Sequence, residues 1–330
     1  MALGERALTF ELVPNWEHIP EGWSHGDVAG VATDSHDRVY VFNRSEHPVM
    51  VYDVDGTFLT SWGEGVFTRP HGITIHHDVV YCADDTDHTV RVLTLDGQLL
   101  HTLGTLNEPS DSGYSAEGPT NLLSIERGAG PFNRPTRLSV SPTTNELYVS
   151  DGYGNARIHR FSAEGKLIQS WGEPGTEPGQ FNLPHSVWVH TDGRVFVCDR
   201  ENDRIQIFAP DGEFQSMWTN VIRPGDLFID ADNNVYVGEM SHVAGSTNMA
   251  GRPLTETHHC QLTMRDLEGR ILTQLGGGPD PCADGSFASP HGLWVDSRGD
   301  LYVGEVTHTA LSGSGRYHPG CHSLQKFARR

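Results

Sequence analysis

The chain has 330 residues, with 23 Lys and Arg against 43 Asp and Glu, so its formal net charge is −20. Such acidity disfavours binding to a phosphate backbone, and no nucleic-acid partner is expected. The longest apolar runs have about six residues, far fewer than a transmembrane helix needs, so no membrane partner is expected either. The first residues lack the basic and apolar regions of a secretory signal, which favours a cytoplasmic location.

The cysteine pattern also favours a cytoplasmic location. The cysteines are odd in number, widely spaced and form no Cys-x-x-Cys motif: Cys82, Cys198, Cys260, Cys282 and Cys321. This pattern argues against a disulfide framework and against a zinc module with cysteine ligands. The 37 glycines and 19 prolines indicate a turn-rich, all-β chain, and 19 histidines leave imidazole available for metal binding or acid–base chemistry.

One pattern of four alternating strands recurs along the chain. Each copy has a Pro-His-Gly-like turn and an apolar strand, a second strand ending in an acidic residue, a third strand, an Asp-Gly or Glu-Gly turn and a fourth strand. The copies cover 27–65, 69–104, 132–172, 181 to about 220, 223–278 and 287–330. Six such units predict a six-bladed β-propeller, with residues 1–330 forming a single domain and the chain a monomer.

The ends and insertions of the repeats make two further predictions. The sixth copy stops after its third strand, so a strand at about residues 7–13 is expected to complete that blade and close the ring. Long insertions fall at 105–131, 243–259 and 309–320. Loops of this length are often functional, and we expect 243–259 and 309–320 to cover the channel mouth on the histidine face.

Histidine alternates around the predicted ring. The second residue of each innermost strand is, in order, Ala29, His71, Thr136, His185, Gly225 and His291. Three imidazoles from alternate blades converge on the axis and leave one direction open, which is the arrangement of a catalytic zinc site. Imidazole donors also suit iron, cobalt or copper. The alternative is that Pro-His-Gly is only a turn signature of the repeat.

Other candidates lie at the ends of the second strands. The acidic position reads Asn43, Asp84, Asp151, Asp199, Glu239 and Glu305, which we interpret as caps of the adjacent turns. The next residue is arginine in blades one and four, Arg44 and Arg200, where a guanidinium can hold a substrate carboxylate in a bidentate contact. Pairing with acids of their own blades is the alternative. Tyr153 is flanked by glycines, and a phenol beside a metal cation can act as a base. Ordinary aromatic packing is the alternative for Tyr153.

These motifs resemble NHL-repeat propellers, and more specifically the peptidyl-α-hydroxyglycine α-amidating lyase family. The resemblance spans roughly residues 27–310 and is carried by 67–72, 150–158, 181–186, 199–206 and 287–291. It implies a six-bladed propeller whose zinc ion is held by His71, His185 and His291. It also implies a catalytic Tyr153, and it places Arg44 and Arg200 so that they face the substrate carboxylate and hydroxyl. The implied reaction breaks a carbinolamide C–N bond and yields an amide and glyoxylate.

The sequence departs from that family in three places. Gly292 stands where the family has an aspartate that helps bind a structural calcium ion, which weakens the case for calcium. Gly154 replaces a cysteine of the family, so the disulfide formed there is absent. Blades five and six carry twin Gly-Glu-x-x-His motifs, with Glu239 and His242 in one and Glu305 and His308 in the other. Their roles are left open.

The sequence is consistent with three functions. The first is a zinc-dependent lyase acting on a small α-hydroxy substrate with a carboxylate or carbonyl group. The second is a zinc-dependent hydrolase of a lactone, ester or amide on the same site, which Glu239 or Glu305 would favour if either reached the metal-bound water. The third is a non-enzymatic NHL interaction module.

Overall fold

In a computed structural model that describes residues 8–118 and 121–330, the chain folds into six four-stranded antiparallel sheets. The innermost strands are β2 (Val28–Thr33), β6 (Pro70–His76), β10 (Pro135–Val140), β14 (Pro184–Val189), β18 (Pro224–Ile229) and β22 (Pro290–Val295). The second strands are β3 (Val39–Asn43), β7 (Val79–Asp84), β11 (Leu147–Asp151), β15 (Val195–Asp199), β19 (Val235–Glu239) and β23 (Leu301–Glu305).

The outer half of each blade completes the sheet. The third strands are β4 (Val49–Tyr52), β8 (Thr89–Thr94), β12 (Arg157–Phe161), β16 (Arg204–Phe208), β20 (Gln261–Arg265) and β24 (Leu324–Arg329). The outermost strands are β5 (Phe58–Trp62), β9 (Leu99–Leu103), β13 (Leu167–Trp171), β17 (Phe214–Trp218), β21 (Ile271–Gly276) and β1 (Phe10–Val13). Helical turns are short: α1 (Thr307–Leu311) and 3-10 turns at Asn121–Ser124, Arg200–Asn202 and Ser312–Ser314.

The sheets close into a ring. Each innermost strand contacts the innermost strands of both neighbouring blades, and β22 contacts β2. The N-terminal strand β1 pairs with β24, with Phe10 opposite Arg329 and Val13 opposite Lys326. The predicted six-bladed propeller and its closure by the N-terminal segment are therefore confirmed, with the strand starting at Phe10. Residue 7, included in the predicted strand, lies outside the described residues.

Burial follows the distance of a strand from the axis. Strand β2 is buried along its whole length, whereas the outermost strand β9 is mostly exposed. Adjacent blades lock together through a repeated contact: Gly97, with φ of +82°, lies in the turn before β9, and a Cβ there would be 2.6 Å from the ring of Trp62 in the preceding blade. Gly212 meets Trp171 in the same way. The glycine of the Asp-Gly turn is thus required both by its backbone conformation and by the tryptophan of the preceding blade.

The cysteine prediction is wrong at one pair. Cys282, in the loop between β21 and β22, forms a disulfide with Cys321, in the loop between β23 and β24. The spacing of the cysteines in the sequence does not indicate this pairing, because the two residues come together only where these two loops meet in the fold. Cys82, Cys198 and Cys260 are free and buried, as expected for structural thiols. In the part of the chain that the structure describes, no helix has the length and apolar character of a membrane span.

Candidate metal centre and its cavity

The three predicted histidines meet on the propeller axis. His71, His185 and His291 are each the second residue of an innermost strand, and their ligand nitrogens all lie within 4.8 Å of one another. Ring centroids are 4.6 to 4.9 Å apart, and all three residues are buried. The alternation read from the sequence therefore places three imidazoles at one point.

Backbone carbonyls of the intervening blades orient these imidazoles. The Nδ1 atom of His71 lies 2.7 Å from the carbonyl oxygen of Thr136. The corresponding distances are 2.5 Å from His185 to Gly225 and 2.7 Å from His291 to Ala29. A carbonyl can only accept, so each Nδ1 donates and each Nε2 keeps its lone pair, which is the state of a metal ligand. The carbonyls come from the same strand position in blades one, three and five.

The protonation state of the imidazoles also suits a metal ion. Burial, followed by the neighbouring histidines and arginines, lowers the pKa of His71 well below its ordinary value. Burial likewise lowers the pKa of His185 and His291 well below that value. All three imidazoles are therefore neutral at pH 7. The Nε2 atom of His71 is buried with no hydrogen-bond partner among the described residues, a cost that a bound metal ion would remove. The residues fit a divalent transition metal with three nitrogen ligands.

The residues do not fit a calcium ion at Gly292. This glycine offers no carboxylate, and a Cβ added to it would lie 2.6 Å from the Cα of Gly30. Calcium requires several oxygen ligands. At the equivalent position of blades three and five, Arg137 and Asp226 instead form a buried ion pair of 3.0 Å. The guanidinium already neutralises this carboxylate.

Asp226 ties the histidine-bearing strands together. Besides Arg137, it accepts hydrogen bonds from the Ser186 hydroxyl, at 2.6 Å, and from the Leu293 amide, at 2.8 Å. Ser186 follows His185 directly, and Leu293 lies two residues after His291. This carboxylate therefore connects two of the three histidine-bearing strands.

Removing one of these bonds has a measurable cost. We expect Ser186→Ala to lower the free energy of unfolding by about 1.5–3 kcal/mol, because a buried charge loses a donor. Urea denaturation measures this, with Ser216→Ala on the exposed outer strand as control, expected within about 0.5 kcal/mol of wild type. Equal stability of the two variants would contradict the role given to Asp226.

Tyr153 lies beside the histidines, as expected. Its hydroxyl is 3.2 Å from Nε2 of His185 and accepts a hydrogen bond of 3.2 Å from Arg200. Its ring centroid is 5.3 Å from that of His71. The guanidinium groups of Arg134 and Arg200 lie 5.4 and 5.5 Å from the ring. The phenolic oxygen thus faces the same point as the imidazoles.

Arg44 and Arg200 also reach this region. Together with Tyr153 and His291 they line a cavity of about 370 Å³. Arg44 pairs with Asp27 at 3.2 Å, and Arg200 pairs with Glu201 at 2.9 Å. Each arginine therefore pairs with an acid of its own blade, as the alternative interpretation holds. Each also lines the cavity, so the ion pairs do not remove the guanidinium groups from the site.

Sequence reasoning missed three further arginines. Arg69 and Arg223 line the same cavity, and Arg134 donates to Asp85, which also pairs with Arg69. All three directly precede the proline that begins an innermost strand, in blades two, three and five. This Arg-Pro pattern was the available signal.

Residues of two insertions line the cavity, which places both loops on the histidine face, as predicted. Met249 of the 243–259 loop and Thr309 of the 309–320 loop both line it. The Sδ atom of Met249 accepts a hydrogen bond of 3.0 Å from Arg200. The Thr309 amide donates to Asp27, the partner of Arg44, at 3.0 Å. Both loops therefore lie on the histidine face and contact the site arginines or their partners.

The acidic ring has the capping role that we inferred. Asp84 accepts from the amides of Thr68 and Arg69, and Glu239 accepts from the Ile222 amide. Glu305 accepts from the amides of Ala288 and Ser289. Glu239 and Glu305 thus bind groups of their own blades. A carboxylate free to reach a metal-bound water would have favoured a hydrolase, and these two side chains do not provide it.

The twin-motif histidines are also accounted for. His242 lies 3.3 Å from Asp203, and His308 packs against Tyr317. A second group of donors among the described residues, Cys282, His318 and Cys321, has its two sulfurs joined in the disulfide.

Burial raises the pKa of Glu305 from 4.5 to about 8. The unfolded chain ionises this carboxyl above pH 4.5, whereas the folded protein resists ionisation until about pH 8. We therefore expect the free energy of unfolding of the wild type, relative to Glu305→Gln, to be constant at lower pH and to fall as the pH rises through this window. Denaturant titrations at several pH values measure it, with exposed Glu268→Gln as control. A difference that grows with pH would contradict the assignment.

Comparisons with known proteins agree with this architecture. The NHL repeat model matches residues 132–161 and 181–208, which lie in blades three and four. NHL repeat-containing protein 3 of Homo sapiens is 30% identical over 318 residues, covering 91% of this chain and 82% of that protein. The chain belongs to the NHL-repeat proteins.

Other relatives carry names of amidating enzymes. Peptidylglycine alpha-amidating monooxygenase of Rattus norvegicus is 31% identical over 354 residues, covering 89% of this chain and 32% of that protein. The chain thus spans about a third of the length of that relative. Peptidyl-alpha-hydroxyglycine alpha-amidating lyase 2 of Drosophila melanogaster is 28% identical over 330 residues, covering 89% of this chain and 72% of that protein. The resemblance to the amidating lyases is confirmed.

Solved structures support the fold alone. A streptogramin B lyase structure superposes with a TM-score of 0.56 at 15% identity, covering 98% of both chains. At this identity the likeness shows the propeller and nothing about the substrate.

Proposed function

We propose that this NHL-repeat protein is a metal-dependent lyase that cleaves the C–N bond of a small carbinolamide bearing a carboxylate. The observation that carries the proposal is the convergence of His71, His185, His291 and Tyr153 at one end of an arginine-lined cavity. The similarity to amidating lyases supports the reaction class. Zinc is the ion that three imidazoles and an open position suit best.

The chemistry divides among the residues as follows. His71, His185 and His291 would hold a divalent ion, which would supply Lewis acidity toward a hydroxyl group. Tyr153 relays the proton: its phenolic oxygen accepts the substrate hydroxyl proton as its own phenolic proton passes to the leaving nitrogen. As the C–O bond becomes a carbonyl, the C–N bond breaks and its electron pair goes to nitrogen, which receives the proton. The products are an amide and an α-keto or aldehyde acid, with no water consumed.

The remaining groups orient the substrate. Arg44 and Arg200 present guanidinium groups to the cavity from opposite sides, and either can donate paired hydrogen bonds to the substrate carboxylate. The loops that carry Met249 and Thr309 limit access of water to the cavity. Fixing the carboxylate sets the hydroxyl near Tyr153 and His185, whose polar atoms are 3.2 Å apart.

The test is the product of N-acyl-α-hydroxyglycine turnover by the metal-loaded chain in ¹⁸O-labelled water. A lyase releases glyoxylate and an unlabelled amide, and forms no acid from the acyl group. A hydrolase instead releases an acyl acid that carries the label. Appearance of labelled acid, or no turnover of any carbinolamide by protein with a full metal content, would overturn the proposal.

A further inference from the structure

The cavity arginines form two pairs on opposite sides of the propeller axis. Arg44 and Arg200 follow the second strands of blades one and four, which are half a turn apart in a six-bladed ring. Arg69 and Arg223 precede the innermost strands of blades two and five, which are also half a turn apart. One side of the cavity therefore has Arg44 and Arg69, and the other has Arg200 and Arg223.

On the first side, cations outnumber the acids that pair with them. Arg44 pairs with Asp27, whereas Arg69 and Arg134 share the single carboxylate of Asp85. Asp27 and Asp85 are buried, with side-chain exposures of 5% and 0%. Three guanidinium groups thus face two carboxylates.

The second side repeats the imbalance. Arg200 and Arg223 share the buried carboxylate of Glu201, each at 2.9 Å. Their side chains are 5% and 21% exposed, and Nε of Arg223 is buried with no hydrogen-bond partner among the described residues. Two guanidinium groups therefore face one carboxylate, in a chain whose net charge is −20.

An excess of positive charge on side chains that are at most about a third exposed, as Arg69 is at 32%, is costly unless an anion offsets it. The excess here is one guanidinium on each side of the histidines, and a cavity of about 370 Å³ has the volume of a small-molecule site. We infer that the substrate is a small dianion, with an anionic group at each end and its hydroxyl carbon between them. This rests on the proposed function for the position of the hydroxyl, and it adds a second carboxylate or phosphate that faces the second arginine pair.

The test compares two unreactive 2-hydroxy acids of similar size by calorimetry on the metal-loaded chain. Malate carries two carboxylates, and 2-hydroxybutyrate has a methyl group in place of one of them. We expect malate to bind at least about 10-fold more tightly, with the ratio falling as salt is added. Equal affinities would overturn the inference.

Two variants assign the effect to its residues. Arg223→Gln and Arg69→Gln each leave a second arginine on the shared acid, so both are expected to fold, which circular dichroism checks. At least one should bring the malate ratio close to unity while 2-hydroxybutyrate binding changes little. The control is Arg194→Gln: Arg194 is 30% exposed and pairs with Asp192 away from the cavity, so this variant should keep the wild-type ratio. A ratio unchanged in both cavity variants contradicts the inference.

The outcome is separable from that of the proposed function. Preferential malate binding without any lyase turnover would leave the dianion site standing and remove the reaction. Turnover of carbinolamides with one carboxylate, together with equal binding of the two acids, would leave the reaction standing and remove the dianion site.

Discussion

His185→Ala is expected to abolish metal binding and, with it, catalysis. The imidazole is one of three nitrogens that meet on the axis, and its Nδ1 is held by the Gly225 carbonyl at 2.5 Å. Changes to groups that only orient ligands weaken metal binding about 10–100-fold, so loss of a ligand should cost at least about 100-fold. Metal content after dialysis, measured by plasma mass spectrometry, gives the first readout, and carbinolamide turnover gives the second.

The control is a histidine outside the site. His36 is exposed in the turn between β2 and β3, and His36→Ala should keep wild-type metal content and turnover. A His185→Ala protein with full metal content would contradict the ligand assignment. One that loses the metal but keeps full turnover would contradict the metal-dependent reaction.

Tyr153→Phe is expected to lower kcat by about 10²–10⁴-fold while leaving the metal content unchanged. The variant keeps the aromatic ring among Arg134 and Arg200 and removes only the oxygen that lies 3.2 Å from His185. The reason is that the hydroxyl proton of the substrate loses its acceptor. Steady-state kinetics with quantified metal loading measures the effect.

The matched control is Tyr317→Phe, at a side chain that is 42% exposed. It should show wild-type kcat. If Tyr153→Phe also kept wild-type kcat, the phenol would only position neighbouring groups. A loss of metal in Tyr153→Phe would instead assign the phenol to the metal site itself.

The parts of the fold that repeat could be predicted from the sequence. A blade is a local unit of four strands, so the sequence of each copy indicates its strand order and turns. The histidine triad followed because His71, His185 and His291 occupy one strand position in alternate copies. Tyr153 and the loops at 243–259 and 309–320 could be placed on the same face by the same reasoning.

What could not be predicted depends on contacts between blades. The carbonyls that orient the imidazoles belong to Ala29, Thr136 and Gly225. Every residue type has a backbone carbonyl, so the sequence does not show which residues accept these hydrogen bonds. The sharing of Asp85 and Glu201 between arginines links neighbouring blades and likewise has no signal within one repeat. Cys282 and Cys321 pair across 39 residues of sequence because two irregular loops meet.

Anomalous diffraction from crystals of the protein, recorded on both sides of the zinc absorption edge, tests the metal centre most directly. We expect one anomalous peak per chain on the propeller axis, about 2.0–2.1 Å from the Nε2 atoms of His71, His185 and His291. A peak elsewhere in the chain, or imidazoles bridged only by solvent in protein supplied with the metal, would contradict the three-histidine site and the reaction built on it.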